Sequence, residues 1–168
     1  QERNDVSDQH PEIFQRLSGE LEKWYNGILD LEHSYGMPTF RIGQPGDYVT
    51  YLYACASSEV RGNVKAGSHN TTNWKSAGDG QSLKVNVREQ GKYRFKLDVD
   101  PGQSKATVEL SLAGKRKSLT VTDMATIDFG TLTLPAGETE LSISIVASPD
   151  NSAPVFQQVN GVIVERLT

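Results

Sequence analysis

From residue 82 to the C-terminus the apolar residues fall on every second position, and that period of two admits little besides strands. Leu83, Val85 and Val87 alternate with Lys84 and Asn86, and Tyr93, Phe95, Leu97 and Val99 alternate with Arg94, Lys96 and Asp98. Successive side chains of an extended chain point to opposite faces, so each segment has one apolar face and one wet face. Glu89-Gln90-Gly91-Lys92 between them reads as a turn, and the two segments as a hairpin. The rhythm returns at Val108, Leu110 and Leu112, at Leu119 and Val121, at Ile127 and Phe129, at Leu132 and Leu134, at Leu141, Ile143 and Ile145, and in a last strand over 159–167. Asp100-Pro101-Gly102, Ala113-Gly114-Lys115 and Pro135-Ala136-Gly137-Glu138 separate these runs. Many short strands between Gly/Pro turns predict a mainly β chain, an antiparallel β-sandwich of jelly-roll type.

Upstream the pattern differs. Pro11 suits a first helical position, and Ile13, Phe14, Leu17, Leu21, Trp24, Ile28 and Leu31 fall on one face of a helix. Gly19 and Gly27 each cost such a helix about 1 kcal/mol relative to Ala, and an isolated helix of this length is marginal, so it is expected to dock on something apolar. Residues 34–47 turn to Gly and Pro with a short strand at Thr39 to Ile42, a connector. Residues 49–56 form a compact apolar run suited to a buried strand, and 57–81 are polar and loop-like. The reading is a helical segment over 1–33, a linker over 34–47 and a β-sandwich over 48–168.

Charge narrows the partners. The 168 residues carry 17 basic and 21 acidic side chains, a formal charge of −4 without long runs, which leaves no electrostatic footprint for nucleic acid or an anionic membrane. No stretch reaches the ~20 apolar residues of a membrane span, and no signal peptide opens the chain. Gln1 in place of Met is what a processed or excised product would show. Cys55 is the only cysteine, which forbids an intrachain disulfide, and its apolar neighbours predict a buried structural thiol.

No constellation for catalysis stands out. His10, His33 and His69 fall in separate predicted elements without metal-ligand spacing, and His10 reads as part of the helix terminus. The carboxylate pairs Asp98/Asp100 and Glu138/Glu140 sit on wet positions and read as a solvated face. The best binding candidate is the loop 61–75, with Arg61, Asn63, Lys65, His69, Asn70, Asn73 and Trp74. A pyranose needs a flat apolar surface for its C–H face and amide or cationic donors for its hydroxyl or sulfate groups, and this loop has both. The competing reading packs Trp74 onto the sandwich border and leaves the polar residues to satisfy loop backbone.

Two segments resemble known families. Residues 1–25, through Glu2, Arg3, Asn4, Asp5, His10, Pro11, Glu12, Ile13 and Leu17, resemble the closing segment of the type I (arylsulfatase-like) sulfatases, whose final helix opens on a Pro-Glu pair. The strand phrases Gly78 to Val99, Thr107 to Lys115, Asp128 to Ile145 and Val159 to Leu167 resemble carbohydrate-binding modules of the galactose-binding-like, CBM6/35-like sandwiches. That order, with an Asn-Trp segment like Asn73-Trp74, is similar to the C-terminal part of some bacterial sulfatases. The resemblance implies a secreted protein, periplasmic or extracellular, in which this chain is a non-catalytic accessory domain. Its partners would be the parent sulfatase catalytic domain and a sulfated polysaccharide, Trp74 stacking on the sugar while Asn73, Asn70, His69, Arg61 and Lys65 supply polar contacts. The alternative is a purely structural module that completes the catalytic domain. Related sandwiches hold a structural calcium ion near one sheet end; no Asp-rich loop marks its ligands here, so the ion has no assigned place.

The family's nucleophile is a Cys or Ser in a Cys/Ser-x-Pro/Ala-x-Arg motif, beside carboxylates and an Asn that bind a divalent metal. Cys55 is followed by Ala-Ser-Ser-Glu, so no catalytic residue carries over. The chain alone is therefore predicted to release nothing above a blank from a chromogenic aryl sulfate with calcium. Turnover that survives purification and disappears in Cys55→Ala would overturn this.

Overall fold

The structure, a computed structural model, describes residues 5, 7–29, 36–148 and 153–167. Glu2, Arg3, Asn4, the Ile28 side chain, Leu31 and His33 lie outside the described residues. The chain divides into two units, Gln1–Gly36 and Met37–Thr168.

In the first unit a single 3-10 turn, Ser7–Gln9, leads into helix α1, Pro11–Leu29. The His10 carbonyl accepts the first helical bond, from Phe14 N at 3.0 Å, which leaves Pro11 where its missing N–H costs nothing. Arg16 and Glu20 pair one turn apart on the surface. Within its own unit the helix leaves its apolar face uncovered: Ile13, Phe14, Leu17 and Leu21 are exposed, and Trp24 is 63% exposed.

The second unit is a β-sandwich of strands β1 (Phe40–Ile42), β2 (Val49–Tyr53), β3 (Glu59–Arg61), β4 (Lys65–Ala66), β5 (Thr71–Trp74), β6 (Gly80–Val87), β7 (Gly91–Pro101), β8 (Ala106–Leu112), β9 (Lys115–Val121), β10 (Thr126–Leu134), β11 (Gly137–Ala147) and β12 (Phe156–Leu167). One sheet runs β1-β6-β11-β8-β9, with β3 also on β6; the other runs β10-β7-β12-β5-β4, with β2 also on β12. The pairings are antiparallel except β1 with β6. The stretch read as a linker thus gives the sandwich a strand, and Ile42 is buried in its core.

The alternation fixes which faces meet. Leu83, Val85 and Val87 of β6 and Leu141, Ile143 and Ile145 of β11 are buried on one side; Tyr93, Phe95, Leu97 and Val99 of β7 and Val162 and Val164 of β12 are buried on the other. Strand β9, rich in Lys and Arg, is one edge of its sheet, and β4, two residues long, is one edge of the other; charge and brevity discourage further pairing there.

Three expectations need correction. β6 and β7 are not a hairpin: β6 pairs with β11 and β7 with β12 and β10, so the turn at 88–90 crosses from one sheet to the other. A period of two says which side chains share a face but not which strand lies alongside. The polar stretch 57–81 is not one loop, since β3, β4, β5 and the start of β6 lie in it, strands too short and too rich in Thr, Asn and Lys to show apolar alternation. Residues 49–56 are not a wholly buried strand, because β2 ends at Tyr53 and only Leu52 and Ala54 in that stretch are buried hydrophobics.

Neighbouring positions on β7 should therefore respond very differently to truncation. Phe95→Ala is expected to cost about 3–5 kcal/mol in urea unfolding, as large-to-small changes in a packed core do. Lys96→Ala, which removes a part-exposed ion pair with Glu165, should cost less than about 1 kcal/mol.

Candidate functional site

Strand β2 turns Leu52 into the core and leaves Val49, Tyr51 and Tyr53 on the outer face of its sheet. Tyr53 is 57% exposed and Tyr51 half-buried, their ring centroids 4.8 Å apart and tilted by 57°. Tyr51 lies over Gly161 of β12, the residue in register with both Tyr53 and Asp98. A Cβ at Gly161 would stand 2.5 Å from a Tyr51 ring carbon and 2.5 Å from the Leu52 carbonyl oxygen, so the ring crosses β12 only because that position has no side chain. Beyond it the Tyr51 hydroxyl donates to Asp98 Oδ2 at 2.7 Å. Burial first, and then donation to the Asp98 carboxylate, pushes the Tyr51 phenol above the ordinary tyrosine range.

Tyr51 and Tyr53, with Cys55, His69 and Asn160, line an open cleft of about 260 Å³. Cys55 is half-buried and lines it, where the sequence suggested a buried structural thiol. Asn160 falls at a break in the β12–β7 register, between Val159, paired with Val99, and Gly161, paired with Asp98. Such a bulge re-aims a side chain. Its Nδ2 is 3.4 Å from Asp100 Oδ1, while Gln158 Nε2 donates to the other Asp100 oxygen and its Oε1 accepts from Asn70 Nδ2 at 2.5 Å. Aromatic faces, an imidazole, amides and carboxylates thus share one shallow surface, a set suited to a polyhydroxylated ligand with one apolar side.

The predicted site residues do not assemble. Trp74 is 0% exposed: its indole packs edge-on against Phe156 with centroids 6.0 Å apart, and its Nε1 donates to Thr71 Oγ1 at 3.1 Å. It is a core residue and presents no face to a sugar, because β5 pairs with β12 and turns Thr71 and Trp74 inward. Arg61 belongs to the other sheet and is engaged by Glu59, Ser82 and Ser142. Asn73 adopts a positive φ of 68° and donates to the Asn63 carbonyl, and Asn63 itself binds Asp79. Lys65 is exposed on the edge strand β4. Only His69 and Asn70 reach the cleft or its rim. Tyr51, Tyr53 and Asn160 escaped sequence reading, although two tyrosines at alternate positions flanking Leu52 were the available signal.

The loop 61–75 is fastened by Asp79, a nearly fully buried carboxylate. Its Oδ1 accepts from Asn63 N at 2.7 Å and Asn63 Nδ2 at 3.1 Å, and its Oδ2 from Lys75 N and Ser76 N, each at 2.8 Å. Gly62, at φ +67°, passes so close that any Cβ there would strike this carboxylate. Burial alone would raise the Asp79 pKa, but the backbone donors of Asn63, Lys75 and Ser76 and the Asn63 amide outweigh it and leave the group below the usual range. A second hollow, about 460 Å³ at one end of the sandwich, is lined by Tyr48, Gln90, Leu167 and the Arg166–Glu89 ion pair. Among the described residues no three His, Cys, Asp or Glu side chains come together to hold a metal ion.

No protein-family model matches the sequence, and no curated protein matches it at the sequence level. Solved structures do share its fold. A family 35 carbohydrate-binding module from Clostridium thermocellum aligns with a TM-score of 0.55 at 14% identity over 72% of this chain and 100% of its own. The module CBM6cm-2 of Cellvibrio mixtus lichenase 5A, solved with cellotriose, aligns with 0.54 at 16% over 71% and 98%. The Podospora anserina GH26-CBM35 mannanase gives 0.54 at 9% over 73% of this chain, which spans only 28% of that protein. The Cry4Aa larvicidal toxin of Bacillus thuringiensis gives 0.59 at 10% over 71% of this chain and 24% of its own. The sandwich shares its fold with these CBM6 and CBM35 structures and with part of the toxin, and at these identities the likeness concerns the fold alone.

The Asp79 geometry generates a pH prediction with a definite sign. A carboxylate whose folded pKa lies below its unfolded value stabilises the fold above the ordinary aspartate pKa of about 3.9, and that contribution is lost as pH falls through the folded value. Asp79→Asn should unfold at lower urea than the parent at pH 7, and the gap should narrow as pH falls below about 4. A gap that is constant from pH 7 to acid would show that the charge of Asp79 contributes nothing.

Proposed function

We propose that this chain is a non-catalytic carbohydrate-binding accessory module, holding a glycan across the outer face of the β2–β12–β7 sheet. The observation that carries the reading is the Tyr51–Tyr53 pair laid beside His69 and Asn160 in an open cleft. Tyr53 gives the sugar an exposed apolar face, and Asn160 and His69 give hydrogen-bonding groups at its edge. The site is a flat part of a rigid sheet, which suits weak binding to a long polymer. Support from outside the chain is the shared fold with CBM6 and CBM35 modules, one of them solved with cellotriose.

The parent protein, on this reading, is a bacterial sulfatase acting on a sulfated polysaccharide outside the cytoplasm. That part rests on the resemblance of residues 1–25 to the sulfatase closing segment. A second reading, a structural module that completes the catalytic domain, is favoured by the uncovered apolar face of α1 from Ile13 to Trp24. The two are compatible, since helix and cleft belong to different units.

Affinity electrophoresis of the full chain through gels containing single polysaccharides tests the binding site. At least one glycan should retard it, and Tyr53→Ala should weaken that retardation by about tenfold or more, the scale of an aromatic anchor. Trp74→Phe, which keeps the core aromatic, should leave it unchanged. Full retardation in Tyr53→Ala would move the site elsewhere, and no retardation by any glycan would leave the structural reading.

A further inference from the structure

We propose that Asp98 and Asp100 set the charge preference of the cleft, selecting glycan stretches that present hydroxyl or ammonium groups over stretches that are sulfated or carboxylated. The inference rests on the carbohydrate reading of the cleft and adds its ligand class: the module would anchor its parent on uncharged or amine-bearing stretches of polymer.

The outer face of β7 carries Lys92, Arg94, Lys96, Asp98 and Asp100 in order. Of the three cations at one end, the two nearer the cleft are matched, Arg94 by Asp128 and Lys96 by Glu165. The two carboxylates at the cleft end are not: among the described residues neither has a salt-bridge partner. Asp98 is held by the Tyr51 hydroxyl, and Asp100 by Gln158 and Asn160, all neutral donors that leave both negative charges in place. Each carboxylate is one hydrogen bond away from a residue lining the cleft, Tyr51 for Asp98 and Asn160 for Asp100.

The cation expected to favour sulfate is elsewhere. Arg61 lies in the other sheet, bound to Glu59, Ser82 and Ser142. Lys65 shares a cross-strand row with Thr72, Gln158 and Asp100, three strand spacings from Asp100. At a strand spacing of ~4.8 Å that is about 14 Å, so its attraction for a ligand charge beside Asp100 is weaker than the repulsion from the two nearer carboxylates. An ionised carboxylate only accepts hydrogen bonds, and a sulfate ester does the same, so the two cannot satisfy one another, whereas hydroxyl and ammonium groups donate to either oxygen. Two like charges about 8 Å from a ligand sulfate would weaken binding about fivefold at low ionic strength.

The test compares matched pairs of polymers, each neutral glucan, mannan or galactan beside its own sulfate ester, in low-salt affinity gels with the full chain. The expected result is retardation by at least one neutral polymer and about fivefold weaker retardation by its sulfated counterpart, a gap that closes as salt is raised. The Asp98→Asn/Asp100→Asn double variant, in which the amide at position 98 keeps an oxygen for the Tyr51 hydroxyl, should bind the sulfated polymer about fivefold more tightly than the parent does. If that variant does not fold, Asp100→Asn alone, at an exposed position, should give part of the gain. Sulfated polymer bound as well as or better than its neutral counterpart would overturn the charge inference and leave the carbohydrate reading standing. No retardation by any polymer would overturn both, and an unchanged sulfate penalty in the folded variants would show that these carboxylates are not its source.

Discussion

Burial of one face of β7 and β12 against the opposite sheet holds the candidate site in place. Tyr93, Phe95, Leu97 and Val99, with Val162 and Val164, are locked into the core. Because side chains alternate, that lock forces Lys96, Asp98, Gly161 and Ile163 outward in fixed register. A slip of one residue would bring Leu97 to the surface and bury Asp98 without a partner. The hydrophobic core therefore decides where a carboxylate and a tyrosine hydroxyl meet, 2.7 Å apart, on the wet side of the sheet.

Strand β12 also serves two partners on one edge. Its first half pairs with β5 and its second with β2, while β7 follows its other edge along almost its whole length. The register break at Asn160 falls at the changeover between β5 and β2. There the extra residue turns an amide into the cleft, and the next position, Gly161, leaves room for the Tyr51 ring. The irregularity that interrupts the ladder and the absence of a side chain beside it make the cleft together.

A different economy governs the loop 61–75. One buried carboxylate, Asp79, gathers donors from both ends of it, and Gly62 lets the backbone come close enough for those bonds to form. The loop is thereby fixed at its ends while His69 and Asn70, at its middle, reach the cleft and its rim. Asn63, Asn73 and Arg61, which composition marked for ligand binding, are engaged with the protein itself. Polar residues in such loops are needed first for the backbone and side-chain groups that folding would otherwise leave unpaired.

The sequence by itself determined the class of the fold. Period-two burial from Leu83 to Val164 follows from where apolar side chains must go, and a sandwich is what many such strands with short turns can build. It also placed an amphipathic helix after Pro11, because helical spacing of Ile13, Leu17 and Leu21 is a local property. Strand pairing was beyond it. Leu83–Val87 and Tyr93–Val99 look like a hairpin in one dimension, yet each finds a better neighbour elsewhere, since either pairing satisfies the same alternation. The site was hidden for the same reason. Trp74 advertises stacking by its type and is buried by its place on β5, while Tyr53, inside an apolar run, is exposed because Leu52 takes the inward position. Residue type limits what a side chain can do; only the tertiary register decides which of them face one another across a surface, because that depends on partners distant in the chain.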